Sequence, residues 1–195
     1  MTVDVIEEAI NNYKPIIGRI YSVSDAQKVW DGVAQWIAAY LYKHKGVVVP
    51  GLGTFTLSEW ALDTGLGKPL IISRPAFFIT ETLVQSFTIK QRQVFTANNV
   101  ACHMIHYGGV AALAGLDRST VKVCVQEVVQ ALKRLLWENK NLRLNLGVIG
   151  QLTICDKQVS LEYRRELLNK MRDLTEQRRS TIKPVYPWSP KRILE

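Results

Sequence analysis

The chain reads as an α+β protein made of two tandem units of the same order, helix, helix, three-stranded sheet, helix, with an extended basic tail behind them. Three observations predict this. A capped amphipathic stretch from Ser22 to about His44 leads into two short alternating runs joined through Pro50-Gly51-Leu52-Gly53. The same succession returns about 95 residues later. From Glu176 onward the apolar period is lost and the chain turns basic and proline-bearing, the composition of a segment that folds only against something else.

In the first unit a helical stretch covers Asp4 to about Tyr13. Pro15 ends or kinks it, because proline has no N–H to give and its ring collides with the preceding turn. Ser22-Val23-Ser24-Asp25 has capping-box form, and Val29, Trp30, Val33, Ile37, Tyr40 and Leu41 then recur at helical spacing. Gly46 is the expected helix stop. Val47 and Val49 alternate into a strand, and Thr54-Phe55-Thr56-Leu57 make the next. Glycine makes the turn between them because the backbone must bend where a side chain would clash. An extended segment from Leu70 through Phe78 and a short helix from Thr80 to Gln85 close the unit.

The second unit repeats the grammar. A helix is expected from about Asn98 to Ala114. Asp117 or Ser119 caps another, whose apolar face is Val121, Val125, Val128, Val129, Leu132, Leu135 and Leu136 and which ends near Asn139. Leu142 and Leu144 alternate, Gly147 to Gly150 turn the chain, and Gln151-Leu152-Thr153-Ile154 matches Thr54-Phe55-Thr56-Leu57 position by position. Gln158 to Tyr163 is extended, and Arg164 to about Leu174 is helical. Setting Ser24 on Ser119 puts Val33 on Val128, Ile37 on Leu132 and Leu41 on Leu136, with a two-residue insertion before the second glycine turn. This is an internal repeat of supersecondary structure. The expected units are 1–92 and 93–176, with a tail at 177–195. Both long helices carry apolar stripes wider than a three-stranded sheet covers, so an intramolecular pseudo-dimer is open to the chain.

With 195 residues and 47% hydrophobic content the chain is able to bury real cores. No apolar run approaches the roughly 20 residues that cross a bilayer. The start, Met1 to Glu8, is acidic where a secretory leader is basic and then apolar, so an intracellular protein is expected. Cys102, Cys124 and Cys155 are odd in number and widely spaced, which suits reduced, buried thiols. The net charge of +8 is uneven: residues 1–95 hold 9 Lys+Arg against 8 Asp+Glu, and residues 96–195 hold 16 against 9. Such a field favours an acidic partner without naming it.

The order of elements, with Gly51-Leu52-Gly53-Thr54-Phe55 at the turn, resembles the HU/IHF fold of bacterial nucleoid proteins. The wider run His44-Lys45-Gly46-Val47-Val48-Val49-Pro50-Gly51-Leu52-Gly53-Thr54-Phe55, with Arg74-Pro75-Ala76-Phe77-Phe78 and Leu83-Val84-Gln85, resembles the coiled-coil domain-containing protein 81 family. That resemblance implies two HU-like domains in tandem and an association with centrosomes and cilia. No long heptad segment follows here, so a coiled-coil role is not carried over.

Bacterial HU proteins clasp DNA with long basic β-arms whose tip proline wedges between base steps. The candidate arm Trp60 to Pro69 is short, holds one basic and one acidic residue, and lacks an Arg-Asn-Pro tip; the second is only a turn at Cys155-Asp156-Lys157. Arms so poor in charge predict weak duplex binding, and Pro69 reads as a strand stop. Ser189-Pro190-Lys191-Arg192 resembles minor-groove and phosphorylation motifs in a single copy, which an ordinary basic tail also explains. Gly65-Leu66-Gly67-Lys68 fails as a phosphate loop, since position 62 is leucine and Pro69 stands where Ser or Thr is needed. Gly51-Leu52-Gly53 has no third glycine opening a helix. Cys102, His103 and His106 lie close, with Cys102 and His106 one helical turn apart, but a zinc site needs about four ligands. No catalytic residue, metal ligand, cofactor or small-molecule substrate is expected.

Trp30 and Tyr40 belong to the apolar stripe. Trp36 and Trp137, at stripe edges, are candidates for contacts between units or with a partner. Tyr186, Pro187 and Trp188 have no core of their own and are expected to dock. Residues 170–195 hold 7 Lys+Arg against 3 Asp+Glu. The family resemblance, the poor arms and this charge together lead to an expected structural role in a ciliary, axonemal or centrosomal microtubule assembly. The expected partner is tubulin or a neighbouring axonemal protein, met by Arg178, Arg179, Lys183, Lys191 and Arg192 with Trp188 as anchor. An architectural DNA-binding protein is the alternative.

Overall fold

The computed structural model describes residues 2–12, 22–62, 70–91 and 100–181. In chain order the elements are β1 (Thr2–Asp4), α1 (Val5–Asn12), α2 (Val23–Tyr42), β2 (Gly46–Val49), β3 (Gly53–Leu62), β4 (Leu70–Ile79), α3 (Glu81–Phe87) and β5 (Lys90–Gln91). The second unit continues with β6 (Cys102–Met104), α4 (Tyr107–Ala114), α5 (Arg118–Trp137), β7 (Asn141–Leu146), β8 (Gly150–Cys155), β9 (Gln158–Tyr163) and α6 (Arg165–Thr181).

The repeat is present in detail. Helices α2 and α5 are each 20 residues long and begin 95 positions apart. Ser22 caps α2 through a full capping box: its hydroxyl accepts the Asp25 N–H at 3.2 Å, and the Asp25 carboxylate accepts the Ser22 N–H at 3.1 Å. Asp117 holds the equivalent N-cap position of α5 with its backbone extended, but without a side-chain bond to the helix. Both helices end in one motif. The N–H groups of His44 and Lys45 reach the carbonyls of Leu41 and Tyr40, and those of Asn139 and Lys140 reach Leu136 and Leu135, all at 3.0 Å. The left-handed residue in each is His44 (φ 55°) or Asn139 (φ 51°). Gly46, expected to stop the helix, instead opens β2.

Each unit makes an antiparallel three-stranded sheet, β2-β3-β4 or β7-β8-β9, and each sheet is then extended by the other unit. Strand β6 pairs parallel with β2 (Gly46↔Cys102, Val47↔His103, Val48↔Met104), and β1 pairs parallel with β7 (Thr2↔Asn141, Val3↔Leu142, Asp4↔Arg143). Strand β5 adds a third crossing, parallel on β9. The helices cross as well: α1 packs on α5 and α4 on α2, so the short helix of each unit lies on the long helix of the other.

The glycine turns belong to the same exchange. Gly51, at φ 78°, sits so close to Val129 that a Cβ would stand 2.9 Å from its Cγ1. Gly147, at φ 48°, approaches Ala34 and Asp31 in the same manner, with a Cβ 3.3 Å from that of Ala34. Ala34 and Val129 are equivalent in the repeat, so each unit sets its glycine turn against the other's long helix. The core is accordingly one cluster drawn from both units, with Trp30, Ile37, Leu41 and Phe55 buried alongside Leu132, Leu135, Leu142 and Leu144. Burial of each such side chain stabilises by about 1.5–3 kcal/mol, and the cluster that buries them is shared by the two units. The pseudo-dimer that the sequence permits is the fold.

Three expectations are corrected. The helix expected from about Asn98 begins only at Tyr107, because Cys102-His103-Met104 supply the edge strand that β2 lacks. The first hairpin is longer than expected, with β3 and β4 paired without break from Gly53↔Ile79 to Leu62↔Leu70. Helix α6 runs to Thr181, beyond Leu174 and through the first five residues assigned to an extended tail.

Candidate partner-binding surface

The six candidate contact residues separate into two groups. Arg178 and Arg179 lie in the last turns of α6, so their backbone is helical and not extended. Lys183, Trp188, Lys191 and Arg192 lie outside the described residues, as do Tyr13, Pro15, the Gly65 to Pro69 loop, Tyr186 and Pro187. What the structure adds is the mounting of that basic segment. Leu167 and Met171 bury one face of α6 in the first unit, against α2 and β4, and Lys170 places its ammonium 4.6 Å from the centre of the Tyr42 ring. The second unit thus carries its basic end on a rod anchored to the first.

The hairpins are the other surfaces an HU-like unit presents. In the first unit, residues 59–74 contain Glu59 and Asp63 against Lys68 and Arg74, so the longer arm remains uncharged on balance. Pro75 lies in β4, the outer strand of its sheet, where a missing N–H costs no ladder bond. In the second unit β8 and β9 are six residues each and turn tightly on Asp156 and Lys157, both left-handed at φ 49° and 63°.

One feature with no sequence signal joins the two sheets. Gln91 sits in β5, whose backbone pairs with β9, while its side-chain oxygen accepts the Ile79 N–H at 3.0 Å and its amide donates to the Phe77 carbonyl. A single residue therefore ties the outer strand of one unit to that of the other. Asp4 does similar work at the opposite end. Its carboxylate accepts the N–H groups of Ile6 and Glu7 at the start of α1 (3.0 and 3.3 Å) and lies 3.6 Å from the Arg143 Nε on β7.

Of the aromatic candidates, Trp30 is in the core and Trp36 joins the units: its ring lies over Gly109 of α4, so closely that a Cβ there would overlap it. His106 caps α4, its Nδ1 accepting the Gly109 N–H at 3.0 Å, and its ring centre is 6.1 Å from that of Trp36. Trp137 is different. It is 78% exposed, its ring perpendicular to that of Phe87 with ring centres 6.3 Å apart.

The cysteine and histidine cluster is corrected by β6. Cys102 and His103 are strand residues and His106 is a helix cap, so the one-turn spacing does not arise. Cys102 is exposed and Cys155 half-buried, contrary to the expectation of three buried thiols; only Cys124 is buried. Burial, with the Glu127 and Asp25 carboxylates adding to it, pushes its thiol up to about 12, so it stays protonated at neutral pH. Among the described residues no His, Cys, Asp and Glu grouping is placed to hold a metal ion, and no helix is long and apolar enough to cross a membrane.

Two family models match the chain, and their limits follow the two units. CCDC81 eukaryotic HU domain 1 matches residues 5–91, and CCDC81 eukaryotic HU domain 2 matches residues 102–174. With two HU-like halves that trade edge strands and with both of those models satisfied in order, the chain belongs to the CCDC81 family of tandem eukaryotic HU domains.

Proposed function

We propose that the protein is a non-catalytic structural component of a ciliary, axonemal or centrosomal microtubule assembly, binding tubulin or neighbouring axonemal proteins through its folded body and basic end. The observation that carries this reading is the charge of the hairpins. HU-type DNA binding rests on Lys and Arg set against phosphates, and here one arm is balanced and the other is a two-residue turn. The positive charge lies instead toward the end of α6 and beyond, where Arg178, Arg179, Lys183, Lys191 and Arg192 face an acidic protein lattice, with Trp188 as anchor. Coulomb attraction to such a lattice is generic, and the interlocked body supplies the fixed shape that makes it specific. The association of the family with centrosomes and cilia supports the choice of lattice.

Cosedimentation with microtubules tests this reading. The full chain pellets at low salt, and a chain ending at Thr181 pellets several-fold less. Failure of the full chain to pellet at low salt, together with its absence from isolated axonemes, overturns it.

A second reading, an architectural DNA-binding protein, is favoured by the unbroken pairing of the first hairpin out to Leu62↔Leu70. A gel-shift salt series separates the two. Tight duplex binding whose logarithm falls by about 0.9 per phosphate contact with the logarithm of salt favours DNA.

A further inference from the structure

The two places where a short helix crosses a long one are equivalent in topology and unlike in side chains. Helix α4 lies on α2, and α1 lies on α5. The face of α2 toward the second unit carries Gly32, Trp36 and Tyr40. Ninety-five positions on, α5 carries Glu127, Ala131 and Leu135.

The segments that cover these faces differ in the opposite sense. Helix α4 begins Tyr107-Gly108-Gly109, and the Trp36 ring fills the space that a Cβ on Gly109 would need. Tyr40, with its ring centre 5.2 Å from that of Trp36, meets the His103 ring edge-on at 5.7 Å. Residues 2–12, which form β1 and α1 at the other crossing, contain neither glycine nor an aromatic residue. There Ala131, fully buried, stands where α2 has its tryptophan.

The parallel strand pairings beside the helices, β1 on β7 and β6 on β2, are made by the backbone and do not tell one unit from the other. The side chains do. Two first units paired with each other bring α1 onto α2, and every residue of α1 carries a Cβ to set against Trp36. Two second units bring α4 onto α5. Gly109 then faces Ala131, and the volume of the indole is left empty. Glu127, in the place of Gly32, also turns toward Val110 and Ala114, whose side chains lie 3.4 and 3.5 Å from where a Cβ on Gly32 would stand. That sets a carboxylate against an apolar surface.

We propose that Trp36 and Gly109 are a selectivity pair that restricts a first unit to a second unit as its partner and so excludes self-association of first with first or second with second. The short connection at residues 92–99 raises the effective concentration of one unit near the other, and thereby favours one chain over two. It does not decide which units fit. The inference goes beyond the microtubule reading and stands without it.

The test moves the bulk across the pair in the full chain. Trp36→Ala/Gly109→Leu puts a small residue on the long helix beneath a larger one on the short helix, which admits first–first and second–second pairing as well as the native one. The wild type, both single variants and the double variant are unfolded in guanidinium, refolded at about 200 µM and followed by sedimentation velocity and thermal melting. The expected wild-type product is a monomer. The double variant melts above both single variants, because overlap and void cancel, yet yields about fivefold more folded dimer and larger species than the wild type. Trp36→Ala, which frees the first unit and leaves α4 untouched, gains such species too and carries the test if the double variant does not fold. Wild type that associates as much as these variants, or variants that stay as monomeric as wild type, overturns the proposal. So do melting losses that simply add in the double variant, or associated species that show no cooperative melting.

Discussion

In the first unit the hairpin after the glycine turn pairs over ten residues on each strand and the closing helix has seven; in the second the hairpin strands have six residues and the closing helix seventeen. Between those extremes the units correspond, with long helices of equal length, the same C-terminal motif at His44 and Asn139, and the same glycine approach to Val129 and Ala34. The matching parts are those each unit presses against the other. A change there must satisfy two packing partners in a close-packed interior. The parts that differ are the hairpin and the closing helix, whose lengths are set independently in the two units.

The matched region predicts matched losses. Ile37 and Leu132 are equivalent and fully buried, so Ile37→Ala and Leu132→Ala should each cost about 2–5 kcal/mol and lower one common melting transition. Calorimetry that shows one substitution melting only its own unit would break the comparison. Gly109→Ala forces a methyl into the Trp36 ring and should cost about 1–3 kcal/mol by denaturant titration, although it lies on an eight-residue helix where alanine is the better helix former. Gly51→Ala and Gly147→Ala each place a side chain in the left-handed region and should cost about 1–2 kcal/mol, Gly51→Ala more because Val129 stands closer than Ala34.

Smaller effects sharpen the comparison. Asp4→Ala should cost about 1 kcal/mol, as loss of a helix cap does, and Arg143→Ala less, because its partner contact is half-exposed. Trp137→Ala, on the divergent surface, should change stability by no more than about 0.5 kcal/mol in the same assay.

The long helices were legible because their signals are local. The Ser22 box, the periodic stripe and the position-by-position match of Thr54-Phe55-Thr56-Leu57 to Gln151-Leu152-Thr153-Ile154 lie within a few residues of what they specify. Strands β1, β5 and β6 were not legible. They are two or three residues long, too short to show alternation, and each exists only because a distant strand offers an unpaired edge. The length of α6 was hidden for another reason. Residues 175–181 are polar and basic and carry no apolar period, yet once Leu167 and Met171 anchor the helix each further residue adds a bond without a new nucleus. Trp137 was recognisable as an edge residue of its stripe, but its neighbours depend on where α3 stops. The sequence around Thr80 to Gln85 announces the beginning of that helix and not its left-handed end at Thr88.

The central claim is that the two units are one cooperative body because each completes the other's sheets and core. It is tested most directly by producing residues 1–92 and 93–195 as separate chains and following each, and their equimolar mixture, by circular dichroism and calorimetry. The account predicts that neither half alone shows a cooperative melting transition and that the mixture recovers one near that of the intact chain. Two halves that fold and melt independently, with the mixture giving only their sum, would contradict it.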